Sequence, residues 1–443
     1  MDERLFPMPP EAGQDESEPS SGRPRLKRPN RAQIAFRPSS LEEMVPEEHP
    51  VRLIWSFVEE LDLSPLYAQI LAVEGGPGQS TIDPRLLMAL WLYATLEGVG
   101  SARALDRLCQ EHIAYLWILG GVTVNYHTLA DFRVSQGEFL DQLLSQSVAS
   151  LMAEGLVSLE RTAQDGLRVR ASAGKKSFRG REKLQACLQE AEAQVERLRA
   201  ELETDPGASS RRQRAARERA RRDRAARVRR ALKQMEVMEE QRAKSTRKES
   251  SRKPPRASTT DPDARIMKMA DGGFRPAYNV QMDVETAARL IVGVTVTNAG
   301  VDQGQMAPMV EQEQRRYGEV AEEHLVDGGF ATHHDIQEVA DKGVAVYAPL
   351  PETRPVIKTP HGPPEPLPPA VIAWRERMQT EEAKAIYKQR ASSVEWVNAV
   401  LCNRGLRQFT VRGLEKVRAV VLWFSLLHNL LLGHKLRQAL VPA

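Results

Sequence analysis

Apolar residues recur at three- and four-residue spacing through the first third of the chain, from Ser40 to about Leu151. In the segment 51–61 this spacing is typical of a helix with one buried face. Ser40 and Glu43 fit a capping box ahead of it. The same spacing predicts further helices over 82–96, 101–111 and 139–152. Strand signals are nearly absent here, so we predict an all-helical domain over residues 36–155.

The pattern changes near Leu159, where strand signals begin. In the segment 161–170 a short strand is predicted to end before Asp165 and run into a turn. Alternating or β-branched stretches predict four more strands, at 278–283, 290–297, 324–327 and 344–350. Helices are predicted at 304–317, at 335–342 and after residue 370. This order is typical of a mixed α/β sheet with helices on its faces.

A highly charged segment interrupts this α/β region. Residues 182–204 and 211–242 have high helix propensity, and the Asp-Pro-Gly sequence at 205–207 between them is a turn signal. We predict an inserted helical hairpin with coiled-coil character over residues 176–256. The α/β domain then consists of residues 156–175 and 257–443. Residues 1–35 are Pro-rich and basic toward their end, which predicts a disordered tail.

The predicted fold class is therefore mixed α+β. An all-helical domain precedes an α/β domain, and a basic helical hairpin is inserted into the α/β domain.

The formal net charge of +3 hides an uneven distribution. Residues 175–256 contain 26 Lys and Arg against 13 Asp and Glu, which leaves a balance of −10 for the rest of the chain. Residues 211–230 contain 11 arginines, whose planar guanidinium groups pair well with phosphate. This excess favours salt-sensitive contact with the DNA backbone. The alternative is a solvated coiled-coil arm or an oligomerisation hairpin.

Three cysteines in 443 residues exclude a disulfide framework and a Cys-x-x-Cys metal or redox motif. The first 21 residues lack the apolar core of a secretion signal, so we expect a cytoplasmic protein. The longest apolar run, 419–433, is shorter than the roughly 20 residues needed to span a bilayer. His428 and Asn429 interrupt it. We predict a buried helix there, and no membrane partner.

Three acidic residues stand where the predicted elements can bring them together. Asp165 follows the first strand, Asp327 ends the fourth ahead of two glycines, and Glu395 lies on a helix after the fifth. Carboxylates gathered at one sheet edge suit Mg²⁺ or Mn²⁺. Two such ions, about 4 Å apart, promote phosphodiester cleavage. The alternative is that these acids are ordinary solvated turn residues.

Other candidates for chemistry have less support. His333 and His334 have no second histidine or cysteine cluster near them in sequence, and they precede a helix that Asp335 is expected to cap. Cys402 has no recognisable partner for nucleophilic catalysis.

Short motifs follow one another in a specific order along the chain. In the helical part they are segments 49–55, 82–91, 98–103 and 125–132. Farther on they are 165–171, 260–265, 278–281, 325–330, 387–395, 404–409 and 412–418. Each motif is weak alone. Together they resemble the DDE transposases of bacterial insertion sequences over nearly the whole chain after the tail.

The resemblance implies a ribonuclease H-like catalytic domain in which Asp165, Asp327 and Glu395 hold two Mg²⁺ or Mn²⁺ ions. It implies metal-dependent cleavage of DNA at the ends of the insertion sequence, followed by strand transfer to a target. It also implies a homodimer or larger assembly on double-stranded DNA, at the nucleoid of a bacterial cytoplasm. The competing hypothesis is a non-catalytic DNA-binding protein on a repurposed transposase scaffold. A structural coiled-coil protein is a third possibility.

The resemblance further implies that Tyr387 and Arg390 contact phosphate at the transposon end. An ordinary half-buried aromatic residue is the alternative for Tyr387. Related sequences often carry a lysine at the position of Cys402, so either Arg404 supplies that charge or the contact is missing. On the hairpin, the residues expected to bind DNA are Arg211, Arg212, Arg214, Arg221 and Arg222. We expect the helical domain over residues 36–155 to bind DNA and to read the sequence of the ends. A helix-turn-helix arrangement is a further expectation for 101–132.

Overall fold

The computed structural model describes residues 39–71, 80–204, 211–244, 254–351 and 367–440. The predicted tail over residues 1–35 lies outside these ranges. From Leu41 onward the chain forms one compact unit.

The N-terminal part of the described chain is helical, as predicted. Its helices are α1 (Leu41–Met44), α2 (Pro50–Glu60), α3 (Ser64–Tyr67), α4 (Pro84–Leu96), α5 (Ala102–Glu111), α6 (Ile113–Leu119), α7 (Tyr126–Ser135) and α8 (Gly137–Ala153). Polar side chains cap several of them. Asp83 accepts a hydrogen bond from a backbone amide at the start of α4, and Asn125 does so at the start of α7. Helix α4 is buried along most of its length.

A mixed sheet follows, as the order of elements predicted. Its strands are β1 (Arg161–Arg170), β4 (Arg265–Lys268), β5 (Phe274–Glu285), β6 (Ile291–Thr297), β7 (Glu323–Leu325) and β8 (Ala345–Tyr347). The order is β6–β5–β1–β7–β8, with β4 also paired to β5. Strand β5 is antiparallel to β1, β4 and β6, whereas β7 is parallel to both β1 and β8. A separate short pair is formed by β2 (Phe178–Arg179) and β3 (Ala257–Ser258).

Two long helices lie between β2 and β3, namely α9 (Arg181–Thr204) and α10 (Arg211–Lys244). Leu184, Ala231 and Met235 form a small apolar cluster with Ala257. Several arginines are already paired with protein groups. Arg224 meets Glu190 at 3.4 Å, Arg229 meets Glu192 at 2.7 Å, and Arg230 meets Asp263 at 2.6 Å.

The remaining helices cover the sheet. They are α11 (Met306–Tyr317), α12 (His333–Ala340), α13 (Pro369–Arg377), α14 (Glu381–Arg390), α15 (Trp396–Asn403) and α16 (Leu414–Leu440). The prediction that Asp335 caps α12 is wrong. The helix begins at His333, and the hydroxyl of Thr332 caps it by accepting a hydrogen bond from the Asp335 amide at 3.1 Å.

Helix α16 is the central element of the core. Its Trp423 indole donates to the Arg133 carbonyl of α7, and the Asn429 amide bonds both backbone groups of Ile291 on β6. It is long and apolar enough to cross a membrane, but 67% of its most apolar 18-residue window is buried inside the protein. It is a core helix that joins the N-terminal helices to the sheet.

Candidate active site

Asp165 lies in the middle of β1, not after it. The expectation of a strand end was wrong because β1 continues pairing with β5 through Arg170. The carboxylate of Asp165 accepts hydrogen bonds from Arg390 at 2.8 Å and from Asn398 at 2.9 Å. Burial raises the pKa of Asp165, and the Arg390 charge opposes that shift. The acid is therefore held in place by two donors while 21% of its side chain stays exposed.

Glu395 reaches the same site through an irregular helical turn. Residues Ala391–Glu395 form one π-helical turn between α14 and α15. The wider turn brings residues five apart to one face, and Arg390 donates to Glu395 at 2.5 Å. Regular α-helical spacing between Tyr387 and Glu395 does not hold across this turn. Such turns are frequent at functional sites.

Arg390 thus bridges two of the three predicted acids. Its guanidinium is 10% exposed and bonds Asp165 on one side and Glu395 on the other. The sequence predicted that this fork binds DNA phosphate. In the structure, the Arg390 guanidinium is hydrogen-bonded to the two carboxylates, which share its positive charge.

Asp327 lies just after the end of the neighbouring strand. Strands β1 and β7 are parallel, with Ala163 opposite Leu325. Strand β1 continues through Asp165, whereas β7 ends at Leu325, so Asp327 lies two residues beyond the strand and not at its end as predicted. The Asp327 charge contributes to raising the pKa of Asp165, so the two acids interact. The Gly329 amide donates to Asp327 at 2.7 Å and fixes its side chain.

The two remaining residues predicted to contact the transposon end, Tyr387 and Arg404, are both partly buried but have different surroundings. Tyr387 is half-buried against the core, and this burial raises the pKa of its hydroxyl. The positive charge of Arg390 opposes the rise in pKa, and the negative charge of Asp327 adds to it. Arg404 is partly buried, and its Nη1 has no hydrogen-bond partner. Burial lowers the pKa of Arg404. Tyr387 therefore belongs to the acidic site, whereas Arg404 is not presented as an open surface charge.

The predicted DNA-binding arginines of the hairpin lie on α10. Arg221 donates to the Gln194 carbonyl of α9 at 3.0 Å, and Arg222 pairs with Glu218 one turn earlier. The side chains of Arg211, Arg212 and Arg214 lie outside the described part of the structure.

A cleft of about 650 Å³ opens beside the acids. Its lining combines Asp165, Glu395 and Asn398 with two cations, Arg168 and Lys268. Arg168 also donates to Asp302 at 2.8 Å. A cleft that carries both carboxylates and cations has groups for a metal ion and for a phosphate.

Gly166 is required next to Asp165 because polar side chains fill the space where a Cβ would lie. Asp302 blocks that position, and the Gln281 and Asn279 side chains stand 2.7 and 2.8 Å from it. Asp302 accepts hydrogen bonds from both of those amides, so it cannot move away without leaving them unpaired.

We expect Gly166→Ala to lower the free energy of unfolding by about 2 kcal/mol or more, because the added methyl group overpacks this buried polar layer. Chemical denaturation of the full chain measures it. Gly174→Ala is the matched control, since nothing lies within 4 Å of its Cβ position and its φ is an ordinary −92°. Equal stability of the two variants would contradict the packing argument.

Sequence reasoning missed two features. Asn398 lies three residues after Glu395, and this spacing was a signal that the two share a helix face. The second is a fully buried group of Asp283, Glu313 and His324. Each of these three residues offers a ligand atom, and the three atoms all lie within 4.8 Å of one another. Among the described residues, the three predicted acids Asp165, Asp327 and Glu395 are not as close together as this.

Two family models match the chain. Residues 39–135 match a transposase domain (DUF772), and residues 367–432 match a transposase DDE domain. The first match spans α1 to α7. The second spans α13 to most of α16 and includes Arg390, Glu395 and Asn398. No curated protein and no solved structure matches the chain.

These matches indicate a transposase. Their positions and order support its assignment to the DDE transposases of insertion sequences, as the sequence motifs predicted. A DDE domain implies dependence on divalent metal ions and a DNA partner.

Proposed function

We propose that this chain catalyses metal-dependent DNA strand cleavage and strand transfer at the ends of an insertion sequence. The observation that carries the proposal is the convergence of Asp165 and Glu395 on Arg390, with Asp327 two residues beyond the end of the neighbouring strand β7. The strand order supports a ribonuclease H-like fold for the sheet, with three antiparallel strands followed by two parallel ones.

The acidic site fits Mg²⁺ or Mn²⁺. Its donors are carboxylate oxygens, which these ions prefer. The Arg390 guanidinium occupies a position between Asp165 and Glu395 where positive charge is stabilised, so it stands in for a cation. Asp165, Asp327 and Glu395 would hold two ions. When bound, such ions activate the attacking oxygen and neutralise charge on the scissile phosphate.

The protein's own groups position the reacting parts. Asn398 and Arg390 fix the Asp165 carboxylate, and the Gly329 amide fixes Asp327. Lys268 and Arg168 place positive charge in the cleft where a DNA phosphate would enter. Water is the nucleophile of cleavage, and the released 3′-hydroxyl is the nucleophile of joining. Phosphoryl transfer of this kind depends mainly on positioning and charge stabilisation.

The basic helix pair would bind the DNA backbone. Exposed arginines of α10, such as Arg217, Arg222 and Arg229, project from a segment with twice as many cations as acids. Ion pairs with α9 neutralise part of this charge, and the excess remains available to phosphate. We place the protein at the nucleoid in the cytoplasm, acting as a homodimer or larger assembly on two DNA ends.

Removing two of these charges should weaken DNA binding and its dependence on salt. For Arg217→Gln with Arg222→Gln, we expect the slope of log K against log salt to fall by about 1.8, because each phosphate contact contributes roughly 0.9. Fluorescence anisotropy at several salt concentrations measures this. The double variant Lys342→Gln with Lys435→Gln is the control, because it removes the same amount of positive charge at positions outside the helix pair. An unchanged slope in the α10 variant would assign the helix pair to oligomerisation instead.

Cleavage of the element's own ends tests the proposed function. DNA flanking the coding sequence would be searched for inverted repeats, and a plasmid carrying them would be incubated with the full-length protein and Mg²⁺, Mn²⁺ or chelator. We expect metal-dependent nicks at the repeat ends and joined products. Specific binding without cleavage under any metal would instead support the non-catalytic DNA-binding protein.

A further inference from the structure

Asp283, Glu313 and His324 form a closed polar group behind the acidic site. They come from β5, α11 and β7, and all three are fully buried. Asp283 lies opposite Gln164 across β1 and β5. Because side chains alternate along a strand, this group lies on the opposite face of the sheet from Asp165. His324 Nδ1 is 3.9 Å from Asp283 Oδ1.

The carboxylates of this group lack the partners that burial demands. Neither oxygen of Asp283 makes a hydrogen bond of good geometry, and neither does Glu313 Oε1, although the Thr162 hydroxyl and the Glu313 carboxyl lie beside Asp283. Glu313 Oε2 accepts from the Ala321 amide at 3.1 Å. Among the described residues, no lysine or arginine forms an ion pair with either acid. Buried carboxylates are stable when they are paired or coordinate a metal, so these oxygens call for a cation or a proton.

His324 is oriented as a metal ligand would be. Gln164 uses its amide NH₂ on Gln281 and on the Gln305 carbonyl, so its oxygen is left to accept from His324 Nε2 at 3.0 Å. The Nδ1 lone pair then points toward Thr162 and Asp283. Burial lowers the pKa of His324, which favours the neutral ring. A metal-bound histidine characteristically donates its other N–H to an oxygen in this way.

We propose that Asp283, Glu313 and His324 bind one first-row divalent transition-metal ion, Zn²⁺ or Mn²⁺, as a structural site. Two carboxylates and a neutral imidazole carry the charge that one such ion neutralises, and this mixed nitrogen and oxygen set suits these metals. Two ligands bound at about 2.1 Å in tetrahedral geometry lie about 3.4 Å apart, close to the 3.9 Å seen. The Thr162 hydroxyl lies 2.9 Å from Nδ1 and is hydrogen-bonded to it, so the bound ion would take the place of this contact.

This site is separate from the proposed catalytic ions and does not rest on the proposed activity. It would tie β5, β7 and α11 together directly behind the acidic site. His324 on β7 is three residues before Asp327, and Thr162 is three residues before Asp165 on β1. An ion there would fix the relative positions of the two strands that lead to those acids.

Metal analysis of the purified full-length protein tests the proposal. All proteins carry Asp165→Asn so that ions at the acidic site are not counted, and zinc and manganese are measured by mass spectrometry after gel filtration. We expect roughly one ion per chain in this background, and less than about a tenth after adding Asp283→Asn or Glu313→Gln. Glu311→Gln is the matched control, because this exposed acid lies two positions before Glu313 on the same helix. Metal-free protein in the background variant overturns the proposal.

Thermal melting gives a second measurement, which does not depend on whether the metal is retained during purification. We expect Zn²⁺ to raise the melting temperature of the chelator-treated wild type by several degrees, and not that of Glu313→Gln. A shared proton between Asp283 and Glu313 predicts a different result. Zn²⁺ would then have no effect, and Asp283→Asn would melt at or above the wild-type temperature because a buried charge is removed. That result overturns the metal site.

Discussion

Replacing Asp165 with asparagine should reduce metal-dependent cleavage of the transposon ends by roughly 1,000-fold or more, about 4 kcal/mol in activation free energy. Asparagine has nearly the same shape, and its oxygen still accepts from Arg390. The fold and the affinity for DNA should therefore remain, while the negative charge that holds the ions is lost. A gel assay of nicked product and a binding curve on the same DNA measure the two effects.

Asp327→Asn and Glu395→Gln should behave in the same way if the three acids act together. Asp341→Asn and Glu382→Gln are matched controls, since both acids are exposed and lie outside the site. Glu382 lies on α14, the helix that leads to Glu395. Full cleavage by any of the three site variants would remove that residue from the catalytic set.

Arg390→Ala should impair both stability and cleavage. Asp165 and Glu395 would lose the cation between them, and breaking a buried ion pair leaves an uncompensated charge. We expect a loss of about 3 kcal/mol in the free energy of unfolding, at the low end for such pairs because Glu395 is half exposed. Without Arg390 the Asp165 pKa should rise further, since the arginine opposes the effect of burial.

Denaturation with and without Mg²⁺ separates the two roles of Arg390. If the guanidinium stands in for a cation, added Mg²⁺ should recover part of the stability lost in Arg390→Ala. Lys388→Ala, an exposed cation on the same helix, should show neither the loss nor the recovery. Arg390→Lys keeps the positive charge but lacks the planar guanidinium. Its stability should therefore fall between the stabilities of Arg390→Ala and Lys388→Ala. Identical stability of the Arg390 and Lys388 variants would contradict the bridging role.

Much of the architecture was predictable because it depends on local patterns. Three-and-four spacing gave the N-terminal helices, and β-branched runs gave the central strands. The short strands β2, β3 and β4 were missed, since two to four residues carry too little pattern. Strand β1 was cut short at Gly166, because glycine usually marks a turn. Here it is needed for close side-chain packing from the neighbouring strand.

The sequence pointed to three residues for the candidate site but not to their arrangement. Motif order singled out Asp165, Asp327 and Glu395. The π-helical turn was not predictable, because nothing in the sequence Ala391–Glu395 distinguishes it from an α-helix. The buried group of Asp283, Glu313 and His324 depends on three elements far apart in sequence. Such long-range contacts leave no periodic signal.

Helix α16 has a consequence for how the protein is made. It is synthesised after every element that it packs against, including α4, α7, α8 and β6. Until it emerges from the ribosome, those elements lack their shared apolar partner, and the Ile291 backbone lacks the Asn429 amide. Packing of these elements into one core should therefore be completed only after α16 has been synthesised. A nascent chain tethered near its own gene would be unable to cut DNA before its synthesis has passed α16.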